Sequence, residues 1–155
     1  MINLATAASL TLWSKRTIWR RISDGTLART GGDEVLDDKK TKIQLATIKS
    51  HICVPMDASD YELIEKADAG CAEAQTDLAL LFISYDKLES AVYWLELAAK
   101  QNYAGAMHLL GRYYIDGKGG QKNQNIGMMW IAKAAAMGHV LSQDVMEAVF
   151  RKLSS

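Results

Sequence analysis

Two consecutive segments of the chain carry the same pattern of residues, and this internal repeat limits the fold more than any other feature. The first copy spans residues 71–102 and the second spans residues 103–138. Aligned at their Ala-x-Ala starts, the copies are 32 and 36 residues long, because the second has a loop four residues longer. Repeats of about 20–50 residues are typical of solenoids, in which one unit cannot bury its apolar face alone.

Each copy contains two sets of apolar residues spaced three and four positions apart, which places each set on one stripe of a helix. The pattern therefore predicts a helix–loop–helix unit in which the large Trp94 and Trp130 belong to the core. The matched residues are Leu78, Leu81 and Phe82 with Leu110, Tyr113 and Tyr114 in the first helices, and Trp94 and Ala98 with Trp130 and Ala134 in the second.

The second copy resembles the Sel1-like repeat, a relative of the tetratricopeptide repeat. That family has an Ala-x-Ala start, Leu-Gly, an aromatic residue, a Gly-containing loop, and a second helix with Trp and Ala-Ala before a closing Gly. The first copy departs from this pattern, since Ala79 replaces a Gly and Asn102 replaces the closing Gly. Gly127 stands where Ala is expected, which predicts a helix weakened by ~1 kcal/mol.

The resemblance covers roughly residues 57–155, with a half-copy before the repeats and a capping helix, His139 to Leu153, after them. It implies a protein-binding scaffold and not an enzyme. The first helices of such solenoids line the concave face, where residues off the buried stripe would meet a partner. The candidate partner-binding residues are Gln75, Thr76, Met107, His108, Arg112 and Tyr113, with added apolar contact from Tyr85 and Met128.

The first fifty residues have the order helix, turn, helix, hairpin, helix. Residues Ala5–Leu10 predict the first helix, and Ser14 is the expected N-cap of the second. A Gly31-Gly32-Asp33 turn between two short strands predicts the hairpin. The third helix is expected from Asp38 to about Ser50.

The stretch Ser14–Ile22, followed by Gly25-Thr26-Leu27, resembles the recognition helix of the excisionase and MerR-like group of winged helix-turn-helix proteins. The resemblance implies that this helix lies in or beside a DNA major groove. The alternative is a merely solvated or protein-docking face, because a fold does not fix a function. The implied DNA-binding residues are Ser14, Lys15, Arg16, Thr17, Arg20 and Arg21 on the helix and Arg29 on the wing.

The predicted fold class is therefore mainly α, with a small winged helix-turn-helix followed by an α-α solenoid of about two Sel1-like repeats. The expected domains are residues 1–50, a linker at residues 51–58, and the repeats with their cap at residues 59–155. The formal net charge is zero, but it divides into +4 in residues 1–50 and −4 in residues 51–155. This asymmetry favours two modules with different partners.

Other classes of site find little support in the sequence. His51, Cys53 and Cys71 lack the second ligand pair that a metal site needs, and two cysteines indicate reduced thiols rather than a disulfide scaffold. No nucleophile–base arrangement or cofactor motif is present. The apolar run Leu4–Leu12 lacks the flanks of a signal peptide, so we expect a cytoplasmic protein without a membrane segment.

Two functions remain open from the sequence. The first is a DNA-binding transcriptional regulator or accessory factor whose repeats bind a protein or form a homodimer. The second is an interaction scaffold or adaptor with no DNA role.

Overall fold

The computed structural model describes residues 1–30, 41–120 and 122–155. The chain is mainly helical, as predicted, and it forms two compact units, residues 1–69 and 70–155.

In its described residues, 1–30 and 41–69, the first unit combines a small sheet with four α-helices. Strand β3 is central in the sheet and pairs antiparallel with β1 and with β2. Buried side chains from the sheet and helices, including Ile2, Leu10, Ile18 and Ile43, form its core. The elements are β1 (Ile2–Asn3), α1 (Leu4–Thr11), α2 (Lys15–Ser23), β2 (Arg29–Thr30), β3 (Lys42–Ile43), α3 (Leu45–Ile48), a 3₁₀ turn (Lys49–His51) and α4 (Ala58–Asp68).

The starts of α1 and α2 are set by side-chain caps. Asn3 accepts a hydrogen bond from the Thr6 amide at 2.8 Å, and Ser14 accepts one from the Thr17 amide at 3.1 Å. The sequence-based N-cap at Ser14 is thereby confirmed. Gly25, with φ +77°, follows the end of α2 in the left-handed region that glycine tolerates best.

The predicted third helix begins later than the sequence indicated. Lys42 and Ile43 form strand β3, and the helix starts only at Leu45, so the expected start at Asp38 is wrong for the described part of that segment. Ile43 is fully buried because it lies between two partner strands rather than on a helix stripe. The predicted Gly31–Asp33 turn and the strand at residues 34–36 lie outside the described residues.

Helix α4 packs within the first unit, so the division between units falls at Ala69 and Gly70 rather than in the 51–58 connection. The Asp68 carboxylate explains this placement. It accepts hydrogen bonds from the Asn3 amide at 3.0 Å and the Thr6 hydroxyl at 2.6 Å, and Lys42 Nζ lies 3.4 Å away. One carboxylate therefore ties α4 to β1, α1 and β3.

The second unit is a run of antiparallel helices in which each packs against the next. This confirms the predicted helix–loop–helix repeats. Trp94 is fully buried, as expected, whereas Trp130 is only half-buried and lies beneath the Lys133 ammonium, so its assignment to the core is wrong. The helices are α5 (Ala72–Ser84), α6 (Leu88–Lys100), α7 (Ala104–Asp116), α8 (Gln124–Ala136) and α9 (Val140–Leu153).

Two glycines allow the backbones of α7 and α8 to touch. A Cβ atom on Gly127 would lie 2.6 Å from the Gly111 carbonyl oxygen, and one on Gly111 would lie 2.8 Å from the Gly127 oxygen. The departure from Ala at position 127 is therefore a requirement of the packing between α7 and α8, apart from its expected cost to α8 as a helix.

Candidate nucleic-acid and protein-binding surfaces

Helix α2 carries an exposed cationic face that runs from its first turn to its last. Lys15, Arg16 and Arg20 are exposed, Ser14 is exposed at the cap, and Thr17 is half-buried. The first turn contains no acidic residue, so the partial positive charge of the helix N-terminus adds to that of the side chains. Helix N-termini and basic side chains of this kind bind phosphate groups.

Arg21 lies in a different environment from the other predicted DNA-binding residues. Its guanidinium carbon sits 4.1 Å from the centroid of the Trp13 ring, in cation–π geometry. Its Nε is buried without a hydrogen-bond partner among the described residues. The Trp13 ring also contacts the His51 ring, at 4.8 Å between centroids. Arg21 thus fixes the turn before α2, and it is half-buried rather than projected into solvent.

Arg29, the predicted wing contact, lies half-buried on β2 opposite Ile43 of β3. Asp24, beyond the end of α2, accepts hydrogen bonds from the hydroxyl and amide of Thr26. These bonds lower the pKa of Asp24 below its ordinary value and keep it ionised. The cationic face is therefore confined to α2.

The first unit carries no net charge. Residues 1–69 contain ten Lys and Arg and ten Asp and Glu, because α4 and the segment before it bring five acidic residues and one basic residue into the unit. The +4 balance of residues 1–50 is therefore cancelled within the compact unit by the acidic residues of 51–69. Any attraction for phosphates must therefore be local to α2.

Four of the six predicted partner-binding residues are buried, so the expectation that they face solvent is wrong. The sequence predicted too narrow a buried stripe on these helices. Helix α7 is contacted by α6 and α8, and its His108 also lies within hydrogen-bond distance of α9. On α5, Gln75 accepts a hydrogen bond from the Gln101 amide at 2.8 Å. The exposed fractions are 4% for Gln75, 6% for Thr76, 1% for Met107 and 6% for His108.

Arg112 and Tyr113 remain available at the surface of α7, where they line two different cavities. Arg112 borders a cavity of about 370 Å³ between α7, α8 and α9, with Ile115, Ile131 and Leu141 as its apolar lining and Asp144 at its edge. Such a cavity has the size and mixed lining of a socket for a partner side chain.

Tyr113 borders a cavity of about 360 Å³ formed by α6, α7 and the loop between α7 and α8. Burial raises the pKa of the Tyr113 hydroxyl, which keeps it protonated and able to donate a hydrogen bond. Tyr114 lines the same cavity, and its hydroxyl donates to the Glu96 carboxylate at 3.1 Å.

A cluster that the sequence analysis missed joins α7 to the start of α9. The Ser142 hydroxyl oxygen lies 2.8 Å from His108 Nδ1 and 3.1 Å from His139 Nδ1, and the two imidazole rings are 4.6 Å apart. His139 Nδ1 also accepts from the Ser142 amide at 3.3 Å and so caps α9. The signal was a polar residue three positions before Ser142, which is N-cap spacing.

We expect this cluster to make the stability of the chain depend on pH. Burial lowers the pKa of His108, and the neighbouring His139 and Arg112 lower it further. Folding therefore favours the neutral ring, which contributes stability above the unfolded pKa of about 6.5 and loses it as pH falls below that value. Denaturant unfolding at about pH 7.5 and 5.5 should show a larger loss for the natural sequence than for His108→Asn. Equal losses in the two proteins would contradict this prediction.

The described residues contain neither a membrane-spanning helix nor a cluster of metal ligands. No helix there is long and apolar enough to cross a membrane. No three His, Cys, Asp or Glu side chains within the described ranges are grouped so that they could hold a metal ion.

Comparison with known proteins identifies the repeats. The Sel1 repeat model matches residues 72–103 and 104–139. The structure is similar to that of a Sel1 repeat protein from Oxalobacter formigenes, with 28% sequence identity and a TM-score of 0.54, over 59% of this chain and 72% of that chain. No curated protein matches the sequence.

Proposed function

From its two Sel1 repeats at residues 72–139, which indicate a protein-interaction scaffold, we propose that this chain links a protein partner to duplex DNA. In this proposal α2 binds the sugar-phosphate backbone and the repeats bind the partner. The chain acts by binding rather than by catalysis, in the cytoplasm, as a transcriptional regulator or accessory factor.

The observation that carries the DNA proposal is the exposure of Arg16 and Arg20 on a capped helix that follows α1 after a three-residue turn. Neither arginine has an ion-pair partner among the described residues. A turn of this length between two packed helices is the arrangement of a helix-turn-helix, in which the second helix enters the major groove. An antiparallel β2–β3 pair follows α2, and in this proposal it serves as the wing.

Duplex binding should be weak and steeply dependent on salt, because few charges are available. We expect Arg16→Ala with Arg20→Ala to lower the affinity for a random duplex at least ~10-fold at about 50 mM salt. It should also reduce the slope of log K against log salt by about 2, since two phosphate contacts are lost. Fluorescence anisotropy with a labelled duplex of about 20 base pairs measures both quantities.

The matched control is Lys66→Ala with Lys100→Ala, which removes two exposed positive charges outside α2. This variant should keep the affinity and the slope of the natural sequence. An equal loss in both variants, or no binding by the natural sequence at low salt, would reject the DNA proposal. Circular dichroism confirms that each variant is folded.

A scaffold without a DNA role is the second candidate, and the zero net charge of residues 1–69 favours it. This second function predicts that the chain does not bind duplex DNA, while the partner-binding surface of the repeats is the same as in the first proposal. In either case we propose that the partner contacts Arg112 and the cavity beside it, because this cavity combines an apolar lining with charged groups at its edge.

A further inference from the structure

Helix α9 carries large apolar side chains that its own unit leaves uncovered. Phe150 is 61% exposed and Leu153 is 78% exposed, and Ser142 is the one residue of this helix that is buried. Apolar exposure of this kind is common at single positions but unusual when successive turns of one helix share it.

These side chains lie on one flank of α9. Gln143 Nε2 donates to the Ala135 carbonyl at 3.2 Å, so the flank touches the last turn of α8 at its start, and Phe150 and Leu153 are exposed further along it. Met146, Phe150 and Leu153 follow Gln143 by three, seven and ten residues, a spacing that keeps them on the same side of the helix. We call these three residues the α9 strip. Between Gln143 and Leu153 the helix rises about 15 Å, enough to contact a second helix.

Two oppositely charged residues of α9 follow members of the α9 strip in the sequence, and their order along the helix affects which partner fits. Glu147 follows Met146, Arg151 follows Phe150, and these two charged residues form an ion pair within the helix. The acidic member is nearer the start of the helix and the basic member nearer the end. An antiparallel copy of the same helix therefore presents arginine to glutamate and glutamate to arginine.

We propose that the α9 strip is a homodimer contact in which two α9 helices pack antiparallel across a two-fold axis. Phe150 of each copy packs against Met146 of the other, and Glu147 of each copy faces Arg151 of the other. A second copy provides both features that complement this surface, namely an apolar strip and charges in the reverse order. In a two-fold contact each copy uses the same surface, so no other surface is needed. The contact is a single helix pair, smaller than about 1,200 Å², so the dimer is weak, with a Kd in the micromolar range.

Sedimentation equilibrium of the full chain over about 5–200 µM tests the proposal. Phe150→Ser should raise the dimer Kd at least ~10-fold, because it removes the central apolar contact. Val140→Ser is the matched control, since Val140 is 67% exposed but lies outside the α9 strip, and it should leave the Kd unchanged.

Charge reversal tests the orientation. Glu147→Arg places like charges together and should raise the Kd, whereas Glu147→Arg combined with Arg151→Glu restores both the interhelical and the intrahelical pairs and should return it to the natural value. A chain that stays monomeric at about 200 µM overturns the proposal. So does a dimer that survives both Phe150→Ser and Glu147→Arg, because its interface then lies elsewhere.

Discussion

Replacing Gly127 with alanine is expected to destabilise the repeat unit by about 2–3 kcal/mol, although alanine is the better helix former. The helix preference alone predicts a gain of about 1 kcal/mol. Against it stands a clash, since the new Cβ would lie 2.5 Å from Ile115 Cγ1 and 2.6 Å from the Gly111 oxygen. Part of this clash is with backbone, which rotation of a side chain does not relieve. The axes of α7 and α8 must therefore separate, and the contacts between them are lost.

Urea unfolding of the chain with Trp13→Phe and Trp19→Phe, followed by the fluorescence of the remaining Trp94 and Trp130, measures the change. Gly105→Ala provides the control, because Gly105 is also a helical glycine, in α7, but its Cβ would meet only the Tyr103 ring at 3.4 Å. That control should be neutral or stabilising by up to ~1 kcal/mol. A Gly127→Ala protein as stable as the control would show that α7 and α8 do not meet through their backbones.

Replacing Asp68 with alanine should destabilise residues 1–69 by about 3 kcal/mol. The side chain is 6% exposed, and its loss removes acceptors for the Asn3 amide and the Thr6 hydroxyl and the partner of the Lys42 ammonium. The amide is a costly group to leave unpaired, because it belongs to a half-buried residue of strand β1. The sheet and α4 should therefore open together.

Hydrogen exchange followed by mass spectrometry locates the effect of Asp68→Ala. We expect faster exchange in α1, β1 and α4 and unchanged exchange in residues 70–155. Glu62→Ala is the control, since this exposed carboxylate lies on the same helix, and it should change stability by less than about 0.5 kcal/mol. If hydrogen exchange becomes equally faster in both variants, Asp68 contributes no more to the stability of this unit than Glu62 does.

The repeats could be predicted from sequence because their signals are local. Apolar residues three and four apart define each helix, and a cap or a glycine marks its end, so the two copies at residues 72–139 follow from short stretches read alone. The same holds for α2, because the Ser14 hydroxyl that caps it accepts a hydrogen bond from the amide of Thr17, only three residues later.

The parts of the fold that could not be predicted depend on contacts between residues far apart in the chain. Strand β3 exists because Ile43 pairs with Ile2 and Arg29, and α4 joins the first unit because Asp68 bonds to residues more than sixty positions earlier. His108 is buried because Ser142, thirty-four positions later, bonds to it. None of these pairings leaves a periodic pattern near the residue concerned.

The candidate surfaces were predictable only in part for the same reason. A cationic helix face can be identified from sequence, but the stacking of Arg21 on Trp13 cannot, since it depends on how the turn before α2 folds back. On the repeats, His108 is buried and lies against Ser142, whereas Arg112, one turn later on the same helix, is exposed.

The position of Asp68 also determines where the chain can be cut if its two units are to be studied separately. A fragment ending at residue 58 would hold nine Lys and Arg against six Asp and Glu, whereas residues 1–69 hold ten of each. Such a truncated piece would attract any polyanion while lacking the carboxylate that anchors its own sheet. A cut after Ala69 keeps both the neutral balance and the anchor, and would give a fair measure of what the isolated piece binds.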